Sequence, residues 1–532
     1  MKLPSALFIT SILLLTACSN STTSVERRSK QTARFNIHSE PPSLDPRKAT
    51  DTTSISVIRM CFEGLMRLGQ GSAPELALAN QVLISEDGKS YTFTLREASW
   101  SDGTPITAMD FEKSWKTILD PSFPSEIGLD LYILKNAKAA REGKLPLDQV
   151  GVKAVDARTL QVELSYPHPH FLLMVTSHTF LPVPSHIPEA YPNWAENEKH
   201  YVSSGPFKLK EWKHYNQITL EKNPDYWDAQ AVKLNEIQLA IIEDENTELA
   251  MFENGELDWA GSPLSQLPID ALPTLMKKKE VNLYDLSGVY YFIFNTREFP
   301  FNNVKMRRAF SLAINRQAII ENVTQGRQKP ATSLIPPSMW KEEISYFKDA
   351  DITEARRLFA EALKELNITK SELPSLALSY NTSAAHHKIA QAIQQQWVEA
   401  FGVQVHLENK EWKVFLDEVY HHQFQIARMG GIAAINDPAD FLEASRYYPS
   451  SRNQSQWYSP RYAALMDKSE QTKDAETRKA ILREAEKILI EEMPIAPIYF
   501  YTGAFLKKPY LKDVFVSELS ELDLKHAYLE KE

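Results

Sequence analysis

The amino-acid sequence predicts an α/β protein with more than one hydrophobic core. Short runs rich in β-branched or aromatic residues alternate along the chain with stretches in which apolar residues recur at helical spacing. No repeat of fixed period accompanies this alternation. With 532 residues and 43% apolar content, the chain exceeds the usual size of one domain, so we expect several.

The secondary-structure signals are assigned in chain order. Four segments predict strands because each is short and bounded by turn-forming residues: residues 91–95, 159–164, 217–221 and 403–407. Apolar residues at helical spacing predict helices over 354–367 and 475–491. Thr353 is the expected N-cap of the first helix, because its hydroxyl oxygen can accept a hydrogen bond from a backbone N–H.

Charge balance and aromatic content exclude two classes of protein. The 10 Trp, 21 Tyr and 24 Phe residues are typical of a folded chain rather than a disordered one. Lys and Arg total 59 against 69 Asp and Glu, which gives a formal net charge of −10. No run of Lys or Arg is longer than residues 277–279. Nucleic-acid binding needs a basic surface, so we expect no nucleic-acid partner.

The first residues carry the pattern of an export signal that ends in a lipid-attachment site. Lys2 supplies a positive start, residues 6–15 are apolar, and Cys18 directly follows Leu-Thr-Ala. The segment resembles a bacterial lipoprotein signal, so we expect residues 1–17 to be removed and Cys18 to carry lipid. The alternative is a plain secretory signal with a chance cysteine. A lipidated chain would be anchored to a membrane in the cell envelope or periplasm.

Residues 18–33 are predicted to form a lipidated, flexible tether. Residues 19–30 are polar, rich in Ser and Thr, and lack periodicity. Once the signal is removed and Cys18 is acylated, Cys61 is the remaining cysteine, so no disulfide within the chain is expected. No later apolar run reaches the 18 or more residues that a membrane-spanning helix requires.

Signatures of common enzymes do not occur in the sequence, and we expect a binding protein rather than an enzyme. G-x-S-x-G, H-E-x-x-H and the glycine-rich phosphate loops are not found. Paired histidines at 168/170, 386/387 and 421/422 lack a cysteine or a second pair at ligand spacing. We therefore expect no metal and no cofactor. A secreted peptide hydrolase is the alternative, although no motif supplies its nucleophile and base.

The segment WSDGTPITAMDF, residues 100–111, carries the most specific motif. Asp102-Gly103 predicts a tight turn, and Thr107 with Asp110 three residues later predicts a capping box that opens a helix. Further blocks follow in order: EPPSLDP at 40–46, FEGL at 62–65, SGPF at 204–207, NPDYW at 223–227, FNNVKMR at 301–307, YNTS at 380–383 and EW at 411–412. Together they resemble the peptide-type solute-binding proteins of ABC importers, most closely the oligopeptide-binding members.

The resemblance implies an α/β fold of two lobes that close on a ligand like a hinge, with a large extra domain on the first lobe. Lobe I would comprise 34–61, 188–286 and 502–532, the extra domain 62–187, and lobe II 287–501. The implied function is that of a monomer that captures an oligopeptide or related small peptide and delivers it to an ABC permease and its ATPase subunits. Murein-derived peptides, dipeptides, haem or nickel chelates are alternative ligands, and a surface interaction protein or chaperone is an alternative function.

The resemblance also places a ligand-pairing strand at residues 428–432. Its main chain would pair with an extended peptide. Gly430 and Gly431 would allow close approach, or alternatively mark a bulge, and Ile432 follows them. The oligopeptide binders hold the peptide α-amino group with an Asp just beyond this strand, where this sequence has Ala434. Burying an unpaired ammonium is costly, so either another acid substitutes or the ligand lacks a free amine.

Other ligand-binding residues follow from the same resemblance. Arg428, His386 and Arg297 are the implied anchors of a ligand carboxylate, which a guanidinium can hold through two parallel hydrogen bonds. The alternatives are a structural ion pair for Arg428 and a solvated surface position for Arg297. Trp412 and Tyr501 are expected to line the cleft, with an ordinary core position as the alternative. We expect Trp412 at a junction of strand and loop.

Overall fold

Strands from distant parts of the chain assemble into three main sheets in the computed structural model, which describes residues 24–69, 73–168, 170–433, 435, 437–472 and 474–531. In order across the sheet, the first contains Thr32–Asn36, Glu236–Ala240, Gln217–Lys222 and Phe207–Lys213. The second contains Trp259–Gly261, Ile495–Lys507, Asn282–Phe294, Ile426–Ile432, Leu376–Asn381 and Val405–Lys410, with Lys329–Pro330 also paired to Ile495–Lys507. The third contains Ala79–Ile84, Ser90–Leu95, Thr159–Glu163 and Val152–Ala154.

Helices and short ribbons connect and cover these sheets. The two-stranded ribbons pair Met66–Leu68 with Pro74–Leu76, Leu511–Lys512 with Tyr528–Leu529, and Phe515–Val516 with Leu522–Asp523. The α-helices are Ser24–Lys30, Thr52–Cys61, Ala108–Ile118, Ala137–Arg141, Phe171–Met174, Ile187–Ala190, Glu245–Glu253, Leu272–Lys278, Val304–Leu312, Arg316–Ile319, Pro337–Trp340, Ile352–Glu365, Ala384–Phe401, Trp412–Tyr420, Ala439–Glu443, Pro460–Gln471 and Ala475–Glu492. The mixture of strands and helices confirms the predicted α/β class.

Buried apolar side chains divide the molecule into two bodies. One large core draws its residues from 33–264 and 511–529, and it joins the first and third sheets. A second large core lies within 289–500, around the second sheet. We call the parts built around these cores the first body and the second body.

Two long strands connect the bodies. Asn282–Phe294 and Ile495–Lys507 each contain 13 residues and run antiparallel side by side. Their pairing is interrupted between Asp285 and Val289, where the register shifts. The predicted boundary between residues 286 and 287 falls in this interval. The full division into two lobes and an extra domain stays a prediction.

The predicted tether is wrong for the part of it that the structure describes. Ser24–Lys30 is a helix, and Thr32–Asn36 is a strand of the first sheet. Arg27 fixes the helix to the first body, because its buried guanidinium hydrogen-bonds Asp258 Oδ1 at 3.2 Å and Gly255 O at 2.8 Å. Such distant partners leave no local pattern in the sequence. Among the helices that the structure describes, none is long and apolar enough to cross a membrane.

Of the six elements predicted with bounds, four are confirmed to within one residue and two are shifted. The confirmed elements are the strands Ser90–Leu95, Thr159–Glu163 and Gln217–Lys222 and the helix Ala475–Glu492. The predicted strand 403–407 lies instead at Val405–Lys410, where it pairs in parallel with Leu376–Asn381. The predicted helix 354–367 is Ile352–Glu365, and its N-cap is Asp351, whose carboxylate accepts Glu354 N–H at 3.2 Å, rather than Thr353.

The motif at residues 100–111 has the structural role that its sequence predicts. Gly103 has a φ of +82°, which favours glycine, and its N–H donates to Trp100 O at 2.9 Å. Asp110 Oδ2 accepts the backbone N–H of Thr107 at 2.8 Å, completing the capping box. The motif therefore acts through folding of the first body.

Candidate functional site

The strand Ile426–Ile432 has one edge that is mostly unpaired. On one side it pairs along its whole length with Asn282–Phe294. On the other side it pairs with Leu376–Asn381 only at Ile426 and Ala427. From Arg428 onward, no strand within the described residues covers this edge, so its backbone groups can accept an added extended segment.

Gly430 and Gly431 lie in regular strand rather than in a bulge, since the pairing with Asn282–Phe294 advances residue by residue. A Cβ atom at Gly430 would collide with the hydroxyl of Tyr501. A Cβ atom at Gly431 would lie 3.3 Å from the ring of Phe441. Gly430 is therefore required by the close packing of Tyr501, and both glycines and Ile432 remain half-buried.

Arg428 is a buried cation without a carboxylate partner among the residues that the structure describes. The residue is only 8% exposed to solvent. Nη1 donates to Asn381 Oδ1 at 3.3 Å, and Nη2 donates to Tyr501 Oη at 3.0 Å. The guanidinium carbon lies 4.6 Å from the centre of the Tyr290 ring, and Nε has no hydrogen-bond partner. The structural ion pair considered for Arg428 is not observed.

His386 lies beside Arg428 but does not add charge. It is buried, and its ring is 5.6 Å from that of Tyr290, whose hydroxyl is 3.4 Å from His386 Nδ1. Burial, together with the positive charge of Arg428 and the proximity of His38, holds the pKa of His386 well below its ordinary value. A neutral His386 offers a hydrogen-bonding group, and Arg428 supplies the positive charge.

Further buried polar atoms without partners lie on both sides of the space between the bodies. They belong to His38 Nδ1, Glu245 Oε2 and Glu411 Oε1, while the Trp412 side chain faces the carboxyl group of Asp51 in the first body. Trp412 begins the helix Trp412–Tyr420, which corrects the expected junction of strand and loop, and Glu411 is the N-cap that accepts Val414 N–H at 3.1 Å. Unsatisfied buried groups of this kind are suited to hydrogen-bonding a polar ligand.

Arg297 is not brought to this site. It is exposed, and its guanidinium carbon lies 4.6 Å from the centre of the Tyr448 ring. Its position matches the surface alternative rather than the carboxylate anchor. Ala434 and Cys18 lie outside the described residues.

Asp437, the carboxylate nearest to residue 434 in sequence, is fully engaged. Its Oδ2 and Oδ1 accept from Arg478 at 2.7 Å and 3.0 Å, and Oδ1 also accepts Ala439 N–H at 2.8 Å. These contacts, chiefly the Arg478 side chain, hold its pKa below the ordinary value against the opposing effect of burial. Asp437 therefore has no free oxygen ready for a ligand ammonium.

Contacts across the site join the two bodies along what we call the seam. Ser383 donates to Glu245 Oε1 at 2.8 Å, and the ring centres of Tyr132 and Tyr447 are 5.5 Å apart. Arg452 also forms an ion pair with Asp130. Each pair takes one residue from each body, so the site is enclosed between them.

Comparison with known proteins places the chain in a family. A model of bacterial extracellular solute-binding proteins, family 5 (middle), matches residues 73–453. The chain belongs to this family. The oligopeptide-binding protein OppA of Bacillus subtilis is 44% identical over 528 residues, which cover 97% of each chain.

Solved structures of relatives show the two-lobed fold and the state of this family member. OppA of Haemophilus influenzae in complex with the peptide RPPGFSPFR superposes with a TM-score of 0.89 at 28% identity, covering 94% of this chain and 99% of the relative. The unliganded open form of the murein tripeptide-binding protein MppA gives only 0.62 at 32% identity, covering 94% and 97%. The two relatives have similar sequence identity to this chain but different TM-scores, which indicates that the two bodies of the open form are arranged differently from those of this protein. With the seam contacts, this shows a closed molecule.

Several residues of the site escape sequence reasoning. Tyr499 carries one usable signal, because it lies two residues before Tyr501 on one strand and so shares its face. Asn381 lies in the YNTS block at 380–383, but the block does not indicate which of its residues would contact Arg428. His38 and Glu245 carry no signal. All three reach the site through sheet pairing and through closure of the bodies.

Proposed function

We propose that this family-5 protein captures peptides between its two bodies and serves as the substrate-binding component of an ABC importer. The observation that carries the proposal is Arg428, a buried guanidinium without a carboxylate partner in the described parts of the chain. A buried, uncompensated charge is costly. A peptide C-terminal carboxylate would compensate it through charge-assisted hydrogen bonds.

The open edge of Ile426–Ile432 supplies the second element of binding. Backbone groups from Arg428 onward would hydrogen-bond the peptide main chain as an added strand, which gives affinity independent of peptide sequence. Asn381 and Tyr501 would hold the guanidinium in position. The peptide complex of the Haemophilus influenzae relative supports this class of ligand.

Location and delivery complete the proposal. Lipid on Cys18 would anchor the chain outside the cytoplasm, in keeping with relatives named as periplasmic proteins. Residues 19–23 separate Cys18 from the helix Ser24–Lys30, so an anchored first body would lie within about 20 Å of its lipid. The protein would act as a monomer. Opening of its two bodies would release the peptide to a permease driven by ATPase subunits.

Three measurements test the proposal. Native mass spectrometry of gently purified protein should reveal co-purifying mass in the peptide range, and calorimetry should detect binding of trialanine. A murein-derived mass would redirect the ligand class, whereas no peptide mass and no binding across a peptide library would overturn the proposal.

Radiolabelled palmitate should enter the wild-type chain but not a Cys18→Ala variant, and equal labelling would exclude lipidation at Cys18.

A further inference from the structure

Glu245 forms an unusual contact across the seam. It is the first residue of the helix Glu245–Glu253 in the first body. Its Oε1 accepts the hydroxyl hydrogen of Ser383, the N-cap of the helix Ala384–Phe401 in the second body, at 2.8 Å. Glu245 is only 2% exposed, and its Oε2 has no hydrogen-bond partner. Closure thus encloses a carboxyl group with one of its oxygens unsatisfied.

The charged groups around Glu245 do not favour a carboxylate anion. Asp244 and Glu248 approach from its own helix region, and Asp270 approaches from the loop before the helix Leu272–Lys278. Lys388, on the helix Ala384–Phe401, faces Glu245 as a cation but forms an ion pair with Asp270. An ionised Glu245 would therefore lose its hydration next to other acidic side chains, and the nearby Lys388 is already paired with Asp270.

We propose that Glu245 is a positioning residue that enters the seam as a neutral carboxylic acid, so that closure of the bodies over a ligand takes up one proton from solvent. The inference rests on the proposed function, because it assumes that a ligand drives closure. The proton converts the carboxylate of the open molecule to the acid of the closed one, and no other bond changes. Ligand affinity then rises with acidity.

The pKa values give the range of pH in which this coupling acts. Burial, more than any other cause, raises the pKa of Glu245 to about 7 in the closed molecule, against the lowering effect of the Ser383 hydrogen bond. A solvated Glu in the open molecule titrates near its ordinary value of about 4.3. Between these values only the closed form holds the proton, so acidification strengthens binding down to the lower pKa and has no further effect below it.

Other buried titratable groups are distinguishable from Glu245. Burial also raises the pKa of Glu248 to about 7, but its hydrogen-bond partners Asn36, Gly261 and Ser265 all lie within residues 36–265, and none comes from the segment 289–500, so its hydrogen bonds do not form across the seam as that of Glu245 does. Burial lowers the pKa of His38 and of His386, so their neutral forms favour closure at higher pH. The histidines therefore act with the opposite sign, and a comparison of variants is needed to isolate Glu245.

Calorimetry of trialanine binding from pH 5 to pH 8 provides that comparison. Glu245→Gln is the permanent analogue of the neutral acid, and Glu253→Gln, an exposed acid at the other end of the same helix, is the matched control. The ratio of wild-type Kd to Glu245→Gln Kd should rise by roughly tenfold to a hundredfold between pH 5 and pH 8. The ratio for Glu253→Gln should stay flat.

Proton uptake gives a second readout that a purely structural role would not change. Titrations at pH 6 in buffers of different ionisation enthalpy count the protons bound with the peptide, and Glu245→Gln should bind about one fewer than wild type. Parallel pH profiles and equal proton counts would overturn the inference. Failure of wild type and both variants to bind any peptide at any pH would instead reject the proposed function.

A folding defect in Glu245→Gln would show in its circular dichroism, and the proton count of a Ser383→Ala variant would then decide: retained uptake supports Glu245, and lost uptake contradicts it.

Discussion

Two buried arginines of the second body differ in their surroundings. Arg446 is 5% exposed and Arg428 is 8% exposed. Arg446 donates to Glu443 Oε1 at 2.9 Å, to Asp467 Oδ1 at 3.1 Å and to Glu470 Oε2 at 2.8 Å. Arg428 contacts a side-chain amide, a hydroxyl and the face of a ring. The same residue type is neutralised within the protein at one position and left available for a ligand at the other.

The difference shows why burial of a charge does not by itself identify a binding residue. A buried arginine with several carboxylates stabilises the fold, because each ion has its counter-ion in place. A buried arginine held only by neutral groups keeps its full charge for another partner. The two positions should therefore respond oppositely to substitution, one in stability and the other in affinity.

The largest effect is expected on stability from Arg446→Met. The change leaves the Glu443, Asp467 and Glu470 carboxylates without their shared cation, which should lower the free energy of unfolding by about 3 kcal/mol. This is the lower end of the range for a broken buried pair, because the side chains of Glu443 and Glu470 are still 28% and 25% exposed. Urea unfolding measures the change.

An exposed ion pair supplies the control for this experiment. Arg461 and Glu484 form an ion pair with side-chain exposures of 72% and 48%. Arg461→Met should therefore change stability by less than about 1 kcal/mol. Equal losses in Arg446→Met and Arg461→Met would contradict the structural role of Arg446.

Arg428→Met should affect binding rather than folding. Loss of the charge-assisted hydrogen bonds should weaken trialanine binding by about 1.5 to 3 kcal/mol, while the unliganded protein keeps or gains stability because an unpaired buried charge is removed. Calorimetry and thermal unfolding measure the two effects. Amidated trialanine, which lacks the carboxylate, should bind wild type and variant about equally. A melting temperature that falls as in Arg446→Met would assign Arg428 a structural role instead.

The sequence predicted features whose contacts join residues close together in the chain, and it did not predict those whose contacts join distant residues. The turn at Gly103 and the capping box of Thr107 were predictable, because their partners lie within four residues. The helix Ser24–Lys30 was not, because Arg27 finds Asp258 across 231 residues. Arg428 was selected through the family resemblance. Glu443, three residues before Arg446, is a local signal for an ion pair there, whereas Asp467 and Glu470 reach Arg446 through tertiary packing.

Tyr501→Phe should have a smaller effect of the same kind as Arg428→Met. The change removes the hydroxyl that accepts from Arg428 Nη2 at 3.0 Å, so peptide affinity should fall by about 1 kcal/mol. Tyr499→Phe is the matched control, since it lies on the same face of the same strand but its hydroxyl is not bonded to Arg428. Calorimetry with trialanine compares the two variants, and equal losses would argue against a role for the Tyr501 hydroxyl in holding Arg428.

The smallest effect is expected at the other end of the peptide. Asp437 is committed to Arg478 and Ala439 N–H, so acetylating the amino group of trialanine should cost wild type less than about 1 kcal/mol. Loss of a buried carboxylate–ammonium pair would cost several kcal/mol instead. Ala434→Asp should create a preference for the free amine, because it restores a carboxylate at the position where the oligopeptide binders hold the α-amino group, and an unpaired carboxylate favours a ligand that carries the compensating charge. Calorimetric titration of free and acetylated trialanine into both proteins measures the difference.

If wild type already rejects the acetylated peptide, a carboxylate other than one at residue 434 holds the α-amino group. Asp437→Asn then identifies it, because discrimination would disappear only if Asp437 exchanges Arg478 for the ligand.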